Sequence, residues 1–87
     1  MRRSRLETLY VILNLSINGV KKTRILYGAN LSYSQLEKFL EILTSKELII
    51  KKNDSYITTN KGRVFIRDFE KVQFLIGENS KNQEILL

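Results

Sequence analysis

The sequence predicts a small, mostly α-helical domain that contains one β-hairpin. Apolar residues recur at helical spacing in three stretches, residues 6–17, 36–43 and 65–76. Two β-rich stretches lie between the second and third of these and are separated by the turn-forming pair Asn53-Asp54. The chain has 87 residues, which is the size of one domain. Because a chain this short buries a modest share of its surface, we expect its stability either to be marginal or to come partly from association.

The first helix is expected to run from about Ser4 to Ile17. Ser4 and Glu7 have the spacing of a capping box, which satisfies the first turn of a helix. One face of this helix carries the apolar residues Leu6, Leu9, Tyr10, Leu13 and Ile17. Val11 and Leu15 point the other way, and a helix that is apolar nearly all round is usually buried on more than one side. The pattern favours a second packing surface, such as a partner subunit, over a few exposed aliphatic side chains.

A short extended piece at residues 20–22 and two further helices are expected next. Thr23 is placed to cap a short second helix, which residues 30–32 interrupt. The third helix begins behind either Ser32 or Ser34, because each is followed three residues later by a Gln or a Glu. Its core face is formed by Leu36, Phe39, Leu40 and Leu43.

The hairpin of residues 47–52 and 55–59 is followed by a long last helix. Thr59 or Asn60 is expected to cap this helix, which runs to about Ile76 and ends at Gly77. Four apolar residues are spaced four, three and four apart, as in a coiled-coil seam: Phe65, Phe69, Val72 and Ile76. The seam predicts a dimerisation helix, to which Val11 and Leu15 of the first helix would add contacts.

The order of elements is helix, short strand, helix, helix, hairpin and long helix. Two helices joined by a tight polar turn and followed by a hairpin form a winged helix-turn-helix. We therefore expect a winged helix-turn-helix DNA-binding domain at residues 1–59, a C-terminal dimerisation helix at residues 60–77 and a polar tail at residues 78–87.

The composition excludes several classes of function. The chain contains no Cys and no His. Disulfides, thiolate or imidazole metal sites and His-activated nucleophiles are therefore absent. The nine Asp and Glu are scattered along the sequence, and no phosphate-binding loop is present. We expect a protein that is not an enzyme, with no metal, no cofactor and no small-molecule substrate.

The charge distribution points to a polyanionic partner. The net charge is +6, from 15 Lys and Arg against nine Asp and Glu. Residues 1–36 hold six bases and one acid, a balance of +5, whereas residues 37–87 hold nine bases and eight acids, a balance of +1. An excess concentrated near a helix-turn-helix favours double-stranded DNA as the partner.

The candidate DNA contacts fall into four groups. Arg2, Arg3 and Arg5 form a basic arm, for which simple solvation is the alternative. Lys22 and Arg24 lie where the first helix of the motif crosses the backbone, although Arg24 could instead pair with a carboxylate. The third helix offers Tyr33, Ser34, Gln35 and Lys38, with Tyr33 also a candidate core residue. The wing offers Lys51 and Lys52.

Two segments carry a resemblance to a known family. Residues 22–33, Lys22-Thr23-Arg24-Ile25-Leu26-Tyr27-Gly28-Ala29-Asn30-Leu31-Ser32-Tyr33, resemble the signature of small archaeal winged-helix proteins, in particular the basic, coiled-coil-dimerised DNA-binding proteins of the Sulfolobales, which are chromatin-type proteins. Residues 56–62 resemble the family's junction between wing and last helix. The resemblance implies an intracellular DNA-binding homodimer that is joined through its last helices and coats or bridges duplexes. One departure is that Gly77 interrupts the last helix early, which shortens any coiled coil.

Three hypotheses follow. The first is a dimeric, largely backbone-binding and weakly sequence-specific DNA-binding protein with a chromatin-organising or architectural role. The second is a site-specific transcriptional regulator with the same fold. The third is a winged-helix module that docks on another protein. No stretch approaches the ~20 apolar residues of a membrane-spanning helix, so we expect no membrane association and a cytoplasmic, nucleoid-associated location.

Overall fold

Four helices pack with a small antiparallel sheet in a computed structural model that describes residues 3–77. The elements in chain order are α1 Arg5–Leu15, β1 Val20–Lys21, α2 Lys22–Gly28, α3 Tyr33–Ser45, β2 Ile49–Lys52, β3 Ser55–Thr58 and α4 Asn60–Ile76. This arrangement confirms the predicted mostly α-helical fold with a hairpin wing and a long last helix. The division into a winged domain, a dimerisation helix and a tail stays a prediction, and the tail of residues 78–87 lies outside the described residues.

Local capping interactions set where the helices begin. The Ser4 hydroxyl accepts a hydrogen bond from the Glu7 backbone N–H (3.1 Å), and the Ser4 N–H donates to the Glu7 carboxylate (2.8 Å), so the predicted capping box is confirmed. Ser32, rather than Ser34, caps α3 through the same exchange with Gln35. The expectation that Thr23 caps α2 is wrong. The N-cap of α2 is Lys21, which makes no side-chain capping bond, and Thr23 lies inside the helix.

The helix ends also follow the residue types at these positions. α1 stops at Leu15, two residues before the expected end, because Ser16 begins a turn and its hydroxyl donates back to the Ile12 carbonyl oxygen (2.8 Å). Thr59 caps α4 by accepting from the Gly62 N–H (3.0 Å). Gly77 ends α4 with a left-handed φ of 73°, which glycine adopts without the steric cost of a Cβ.

The sheet has three strands in the order β1-β3-β2, with both pairs antiparallel. The register places Val20 opposite Tyr56 and Ile49 opposite Thr58. Asn53 begins the hairpin turn with a φ of 58°, a conformation that Asn tolerates better than most residues. The short piece at residues 20–21 therefore extends the predicted hairpin into a sheet that also holds the end of α1.

The core lies between the helices and one face of the sheet. Its fully enclosed side chains are Ile12, Leu13, Ile25, Leu36, Leu43 and Ile49. The predicted core face of α3 is confirmed, with Phe39 half-buried beside it. Leu6, which was predicted on one apolar face of the first helix, is 55% exposed, whereas Ile12 is fully buried.

The C-terminal half of α1 is joined to the sheet by two hydrogen bonds to Thr58. Its hydroxyl donates to the Leu13 carbonyl oxygen (2.6 Å), and its N–H donates to the Ser16 carbonyl oxygen (3.0 Å). At residues 3–77, every buried side-chain nitrogen or oxygen has a hydrogen-bond partner. The frame that carries the candidate site is therefore tied together by both apolar packing and satisfied polar groups.

Candidate nucleic-acid interface

The exposed side of α3 begins with a run of polar residues. Tyr33, Ser34 and Gln35 are all exposed in its first turn. The Gln35 amide oxygen accepts from the Ser32 N–H (2.9 Å), which directs the side chain back toward the helix start. A paired contact from Gln35 to adenine would compete with this cap, so the first turn offers fewer base contacts than its composition implies.

A groove of about 540 Å³ separates the start of α1 from one flank of α3. We call it the arm-side groove, and its lining residues are Arg3, Arg5, Thr8, Leu31, Gln35, Lys38, Phe39 and Ile42. The Arg3 guanidinium donates to the Ala29 carbonyl oxygen in the turn between α2 and α3. Three cationic side chains and no carboxylate line this groove, so its potential is positive.

A second groove, of about 580 Å³, lies on the other flank of α3, toward the wing. This wing-side groove is lined by Glu37, Lys38, Leu40, Glu41, Thr44 and Tyr56. Lys38 contributes to both grooves, but here it faces two carboxylates. The two flanks of α3 therefore differ in charge although they belong to one helix.

An ion pair joins α2 to α3. The Lys22 Nζ lies 2.6 Å from the Glu37 Oε2 and 5.6 Å from the centroid of the Tyr33 ring. The hydrogen bond with Glu37 raises the pKa of Lys22, and the same bond lowers the pKa of Glu37. Both side chains are partly exposed, so the bond is weakened by solvent and salt. Lys22 is thus a cation that Glu37 partly neutralises.

The wing presents Lys51, Lys52 and Asn53, all exposed, on the strand end and turn of the hairpin. The Lys51 Nζ lies 5.9 Å from the centroid of the Tyr56 ring, within the range of a cation–π contact. Arg24 is exposed on α2, and among residues 3–77 it forms no ion pair. The structure therefore does not contain the carboxylate partner that was the alternative interpretation of Arg24.

A third groove, about 400 Å³ in volume, lies between α1 and the second half of α4. This α1–α4 groove is lined by Ser4, Leu6, Glu7, Phe69, Val72, Gln73 and Ile76. Leu6, Val72 and Ile76 are each more than half exposed, at 55%, 51% and 61%. It is the largely apolar counterpart of the two charged grooves beside α3.

An aromatic cluster forms the inner end of the α1–α4 contact. Tyr10 stacks on Phe69 with ring centroids 4.9 Å apart, and Phe65 and Phe69 are parallel at 6.1 Å. The Tyr10 hydroxyl donates to the Glu70 carboxylate (2.6 Å), and this bond, with partial burial and the Glu70 charge, raises the pKa of Tyr10 to about 12. Phe65 and Phe69 of the predicted seam therefore pack partly within the chain, and Val72 and Ile76 remain open.

The structure groups the predicted residues more closely than the sequence indicated. Arg3, Arg5, Gln35 and Lys38 share the arm-side groove, whereas Lys51 and Lys52 lie apart on the wing. Arg2 lies outside the described residues. Tyr33 is exposed, so its alternative assignment to the core is wrong. Among the predicted dimerisation residues, Val11 and Leu15 are half-buried, and Leu15 contacts Gly28 of α2, which leaves less of it for a partner.

Sequence reasoning missed four of the residues that line the arm-side groove. Thr8, Leu31, Phe39 and Ile42 line the arm-side groove but were not among the candidates. Phe39 and Ile42 each follow a polar groove residue by four positions, so helical spacing could have indicated that they share a flank with Gln35 and Lys38. Thr8 and Leu31 carried no such signal, because their place depends on how α1 packs against the turn before α3.

No carboxylate-rich metal site occurs in the part of the chain that the structure describes. Within residues 3–77, no helix is both long enough and apolar enough to cross a bilayer. The remaining features, a helix-turn-helix with a three-stranded sheet and a basic groove beside its second helix, define a winged helix-turn-helix protein.

Comparison with known families identifies the same class. A model of the winged helix-turn-helix family matches residues 2–77, so the chain belongs to this family. Two similar proteins are the uncharacterized proteins MJ0287 and MJ0290 of Methanocaldococcus jannaschii. MJ0287 is 33% identical over 63 residues, which are 71% of this chain and 65% of that protein. MJ0290 is 31% identical over 77 residues, which are 87% of this chain and 36% of that protein. The matched part of the chain thus spans just under two thirds of the length of MJ0287 and about a third of the length of MJ0290.

A solved structure is similar over nearly the full chain. Sso10a-2, a DNA-binding protein from Sulfolobus solfataricus, superposes with a TM-score of 0.70 at 27% sequence identity. The match covers 98% of this chain and 97% of the Sso10a-2 chain. The predicted resemblance to small archaeal winged-helix DNA-binding proteins is confirmed.

Proposed function

We propose that this protein binds double-stranded DNA as a homodimer, mainly through the phosphate backbone and with weak sequence preference, in a chromatin-organising or architectural role. The observation that carries the proposal is the basic surface around the exposed side of α3, where Arg3, Arg5 and Lys38 line one groove. The similarity to Sso10a-2, which is described as a DNA-binding protein, supports it. This role requires no catalytic group and is exercised in the cytoplasm, on the nucleoid.

The proposed contacts come from the basic arm, α2, α3 and the wing. They are Arg2, Arg3, Arg5, Lys22, Arg24, Tyr33, Ser34, Gln35, Lys38, Lys51 and Lys52. Cations that neutralise phosphates release condensed counterions, and the affinity gained in this way does not depend on base sequence. The helix itself carries Lys38 beside Glu37 and Glu41, so it is poorly suited to dense base recognition. Backbone contacts therefore dominate.

A salt titration tests this proposal. The affinity for a mixed-sequence duplex is measured by fluorescence anisotropy from 50 to 400 mM KCl. We expect log affinity to fall linearly with log salt, with a slope of about −0.9 for each phosphate neutralised. Two unrelated duplexes should give the same slope and affinities within a few-fold of each other. An affinity that does not change with salt, or no binding at low salt, would contradict the proposal and favour a protein-docking module.

A site-specific regulator is the second candidate. The exposed hydroxyls of Tyr33 and Ser34 in the first turn of α3 favour it, because the start of such a helix is the part that reaches base edges. Selection from random duplexes distinguishes the two functions. Enrichment of one motif would support a regulator, and the absence of enrichment at matched affinity would support the architectural role.

The proposed dimer contact is the α1–α4 groove and its continuation along the seam. Exposed Leu6, Val72 and Ile76 provide apolar surface that a second copy would bury. Phe65 and Phe69 would support this contact from beneath. Val11 and Leu15, half-buried on another side of α1, are the remaining proposed dimerisation residues. Sedimentation equilibrium at micromolar concentration should give twice the chain mass of 10.2 kDa. A monomer mass at these concentrations would contradict the dimer.

A further inference from the structure

We propose that the arm-side groove holds one backbone strand of the duplex, with Arg5 and Lys38 binding phosphates of that strand at the same time. This inference rests on the proposed DNA binding and adds to it which flank of α3 meets the nucleic acid. The groove joins the start of α1 to α3, so it brings together residues 33 positions apart in the chain, Arg5 and Lys38.

The charges beside α3 select this flank. The arm-side groove is lined by Arg3, Arg5 and Lys38 with no carboxylate, whereas Glu37 and Glu41 line the wing-side groove. A phosphate strand in the wing-side groove would lie beside two like charges. The same strand in the arm-side groove would meet cations on both walls.

The Arg3 guanidinium lies at the Ala29 carbonyl oxygen, in the turn between α2 and α3. A guanidinium has five N–H donors, and the Ala29 carbonyl oxygen occupies part of this capacity. The remaining donors are free to bind phosphate oxygens. Arg3 is thus a third cation of the groove.

The floor of the arm-side groove suits the sugar-phosphate backbone of DNA better than the edge of a base. Leu31, Phe39 and Ile42 are half-buried and apolar, and they offer no hydrogen-bonding groups to a base. They can pack against the sugar carbons while cations on the rim hold the phosphates. The groove should therefore contribute affinity without sequence preference, as the proposed function requires.

A double-mutant cycle tests whether Arg5 and Lys38 bind the same strand. Arg5→Gln and Lys38→Gln, each at 0.1 M salt, should lower duplex affinity about five- to tenfold and reduce the salt slope by about 0.9. If both residues hold one strand, losing one contact loosens the other. The double variant should then lose clearly less than the product of the two single losses.

Lys38→Gln combined with Lys52→Gln is the matched control, because Lys52 lies on the wing and not in the groove. Its losses should multiply, since contacts at separate sites are independent. Losses that multiply for Arg5 and Lys38, an Arg5→Gln variant with unchanged affinity, or equal coupling in the control pair would each overturn the inference while leaving DNA binding intact. Absence of wild-type binding at low salt would overturn the proposed function itself.

A backbone amide NMR titration with a short duplex provides a second readout. The groove proposal expects the largest shift changes at Thr8, Gln35 and Phe39, with small changes at Glu41 and Thr44. The reverse pattern would place the strand in the wing-side groove and overturn the inference. Thr8 on α1 and Gln35 and Phe39 on α3 line the arm-side groove. Glu41 and Thr44 on α3 line the wing-side groove, so the two sets of amides report on the two grooves separately.

Discussion

The face around α3 and the face between α1 and α4 are both open to solvent, but they are built from different chemistry. The first carries cations beside exposed polar groups, whereas the second carries an aromatic stack and exposed aliphatic residues such as Val72 and Ile76. Interactions at a charged face weaken as salt rises, and those at an apolar face do not. The proposed DNA surface and the proposed self-association surface should therefore respond separately to changes in salt concentration.

The largest expected effect is on association. Val72→Glu combined with Ile76→Glu places two charges per chain in the proposed dimer contact, where burial without a partner costs several kcal/mol per charge. We expect sedimentation to give a monomer at concentrations where the wild type is a dimer. The matched control is Leu75→Glu, since Leu75 is 69% exposed on the same helix but does not line the groove. A double variant that remains dimeric would place self-association elsewhere.

The second-largest expected effect is on the free energy of unfolding, at Gly62, where α4 begins beside the hairpin. A Cβ at Gly62 would overlap the Leu48 carbonyl oxygen and lie 2.5 Å from the Thr58 Cγ2. Gly62→Ala should therefore lower the free energy of unfolding by about 2 kcal/mol, the cost of overpacking against rigid backbone. Urea denaturation measures this change.

Gly28→Ala is the control for Gly62→Ala. Its Cβ would meet only the Leu15 side chain, with Cδ1 nearest at 2.8 Å, and that side chain can rotate away. Gly28 is the last residue of α2, so Ala gains only part of the ~1 kcal/mol propensity difference of a helix interior. We expect this gain to offset part of the remaining crowding, and the loss of stability to be smaller than that of Gly62→Ala. Equal destabilisation by the two substitutions would show that backbone contact at Leu48 is not the cause.

The next effect concerns the stability of the α1–α4 face, where the Tyr10 hydroxyl donates a hydrogen bond to Glu70. Tyr10→Phe should lower the free energy of unfolding by about 1 kcal/mol at pH 8, the value of a solvent-exposed hydrogen bond to a charged group. The pKa of Tyr10 is raised from 10.0 to about 12, so the folded state keeps the proton that the unfolded state loses first. The advantage of wild type over the variant should be full below pH 10 and lost between pH 10 and 12.

The control for Tyr10→Phe is Tyr27→Phe, because the Tyr27 side chain is 80% exposed on α2. This substitution should change stability little at either pH. A pH-independent difference between wild type and Tyr10→Phe would mean that the Glu70 bond is not the source of the stabilisation.

The smallest effect concerns the charged face. Glu37→Gln removes a carboxylate from α3 and frees Lys22 from its 2.6 Å ion pair. We expect duplex affinity to rise about two- to threefold at 0.1 M salt, because one repulsive charge is lost and one cation becomes available. Asp68→Asn on α4 changes the net charge equally. An equal gain from that control would assign the effect to net charge rather than to the α3 face.

Several features followed from local sequence, and several did not. The capping box at Ser4, a capping box at the start of α3, the Asn53 turn and the end of α4 at Gly77 were predicted because each depends on residues within four positions. The choice between Ser32 and Ser34 could not be predicted. Both had a suitable partner three residues later, and Glu37, the partner of Ser34, pairs instead with Lys22 from another helix.

The candidate site was predicted as a set of residues but not as a shape. Charge counting identified Arg3, Arg5 and Lys38 as separate candidates, and the structure places all three in one groove. It also divides α3 into a basic and an acidic flank. That difference arises from what packs on each side of the helix, the arm on one and the wing on the other, and helical periodicity contains no information about either neighbour.

The sequence by itself determined the element order, most helix boundaries, the excess of positive charge before residue 37 and the absence of Cys and His chemistry. Only the tertiary structure decided that Ile12 is enclosed while Leu6 is open, that β1 joins the hairpin, and that Phe65 and Phe69 pack partly within the chain. The physical reason is the distance along the sequence between the residues that interact. Caps, turns and helix ends are set by bonds between near neighbours in sequence, whereas burial and the shape of a binding groove depend on contacts between distant segments.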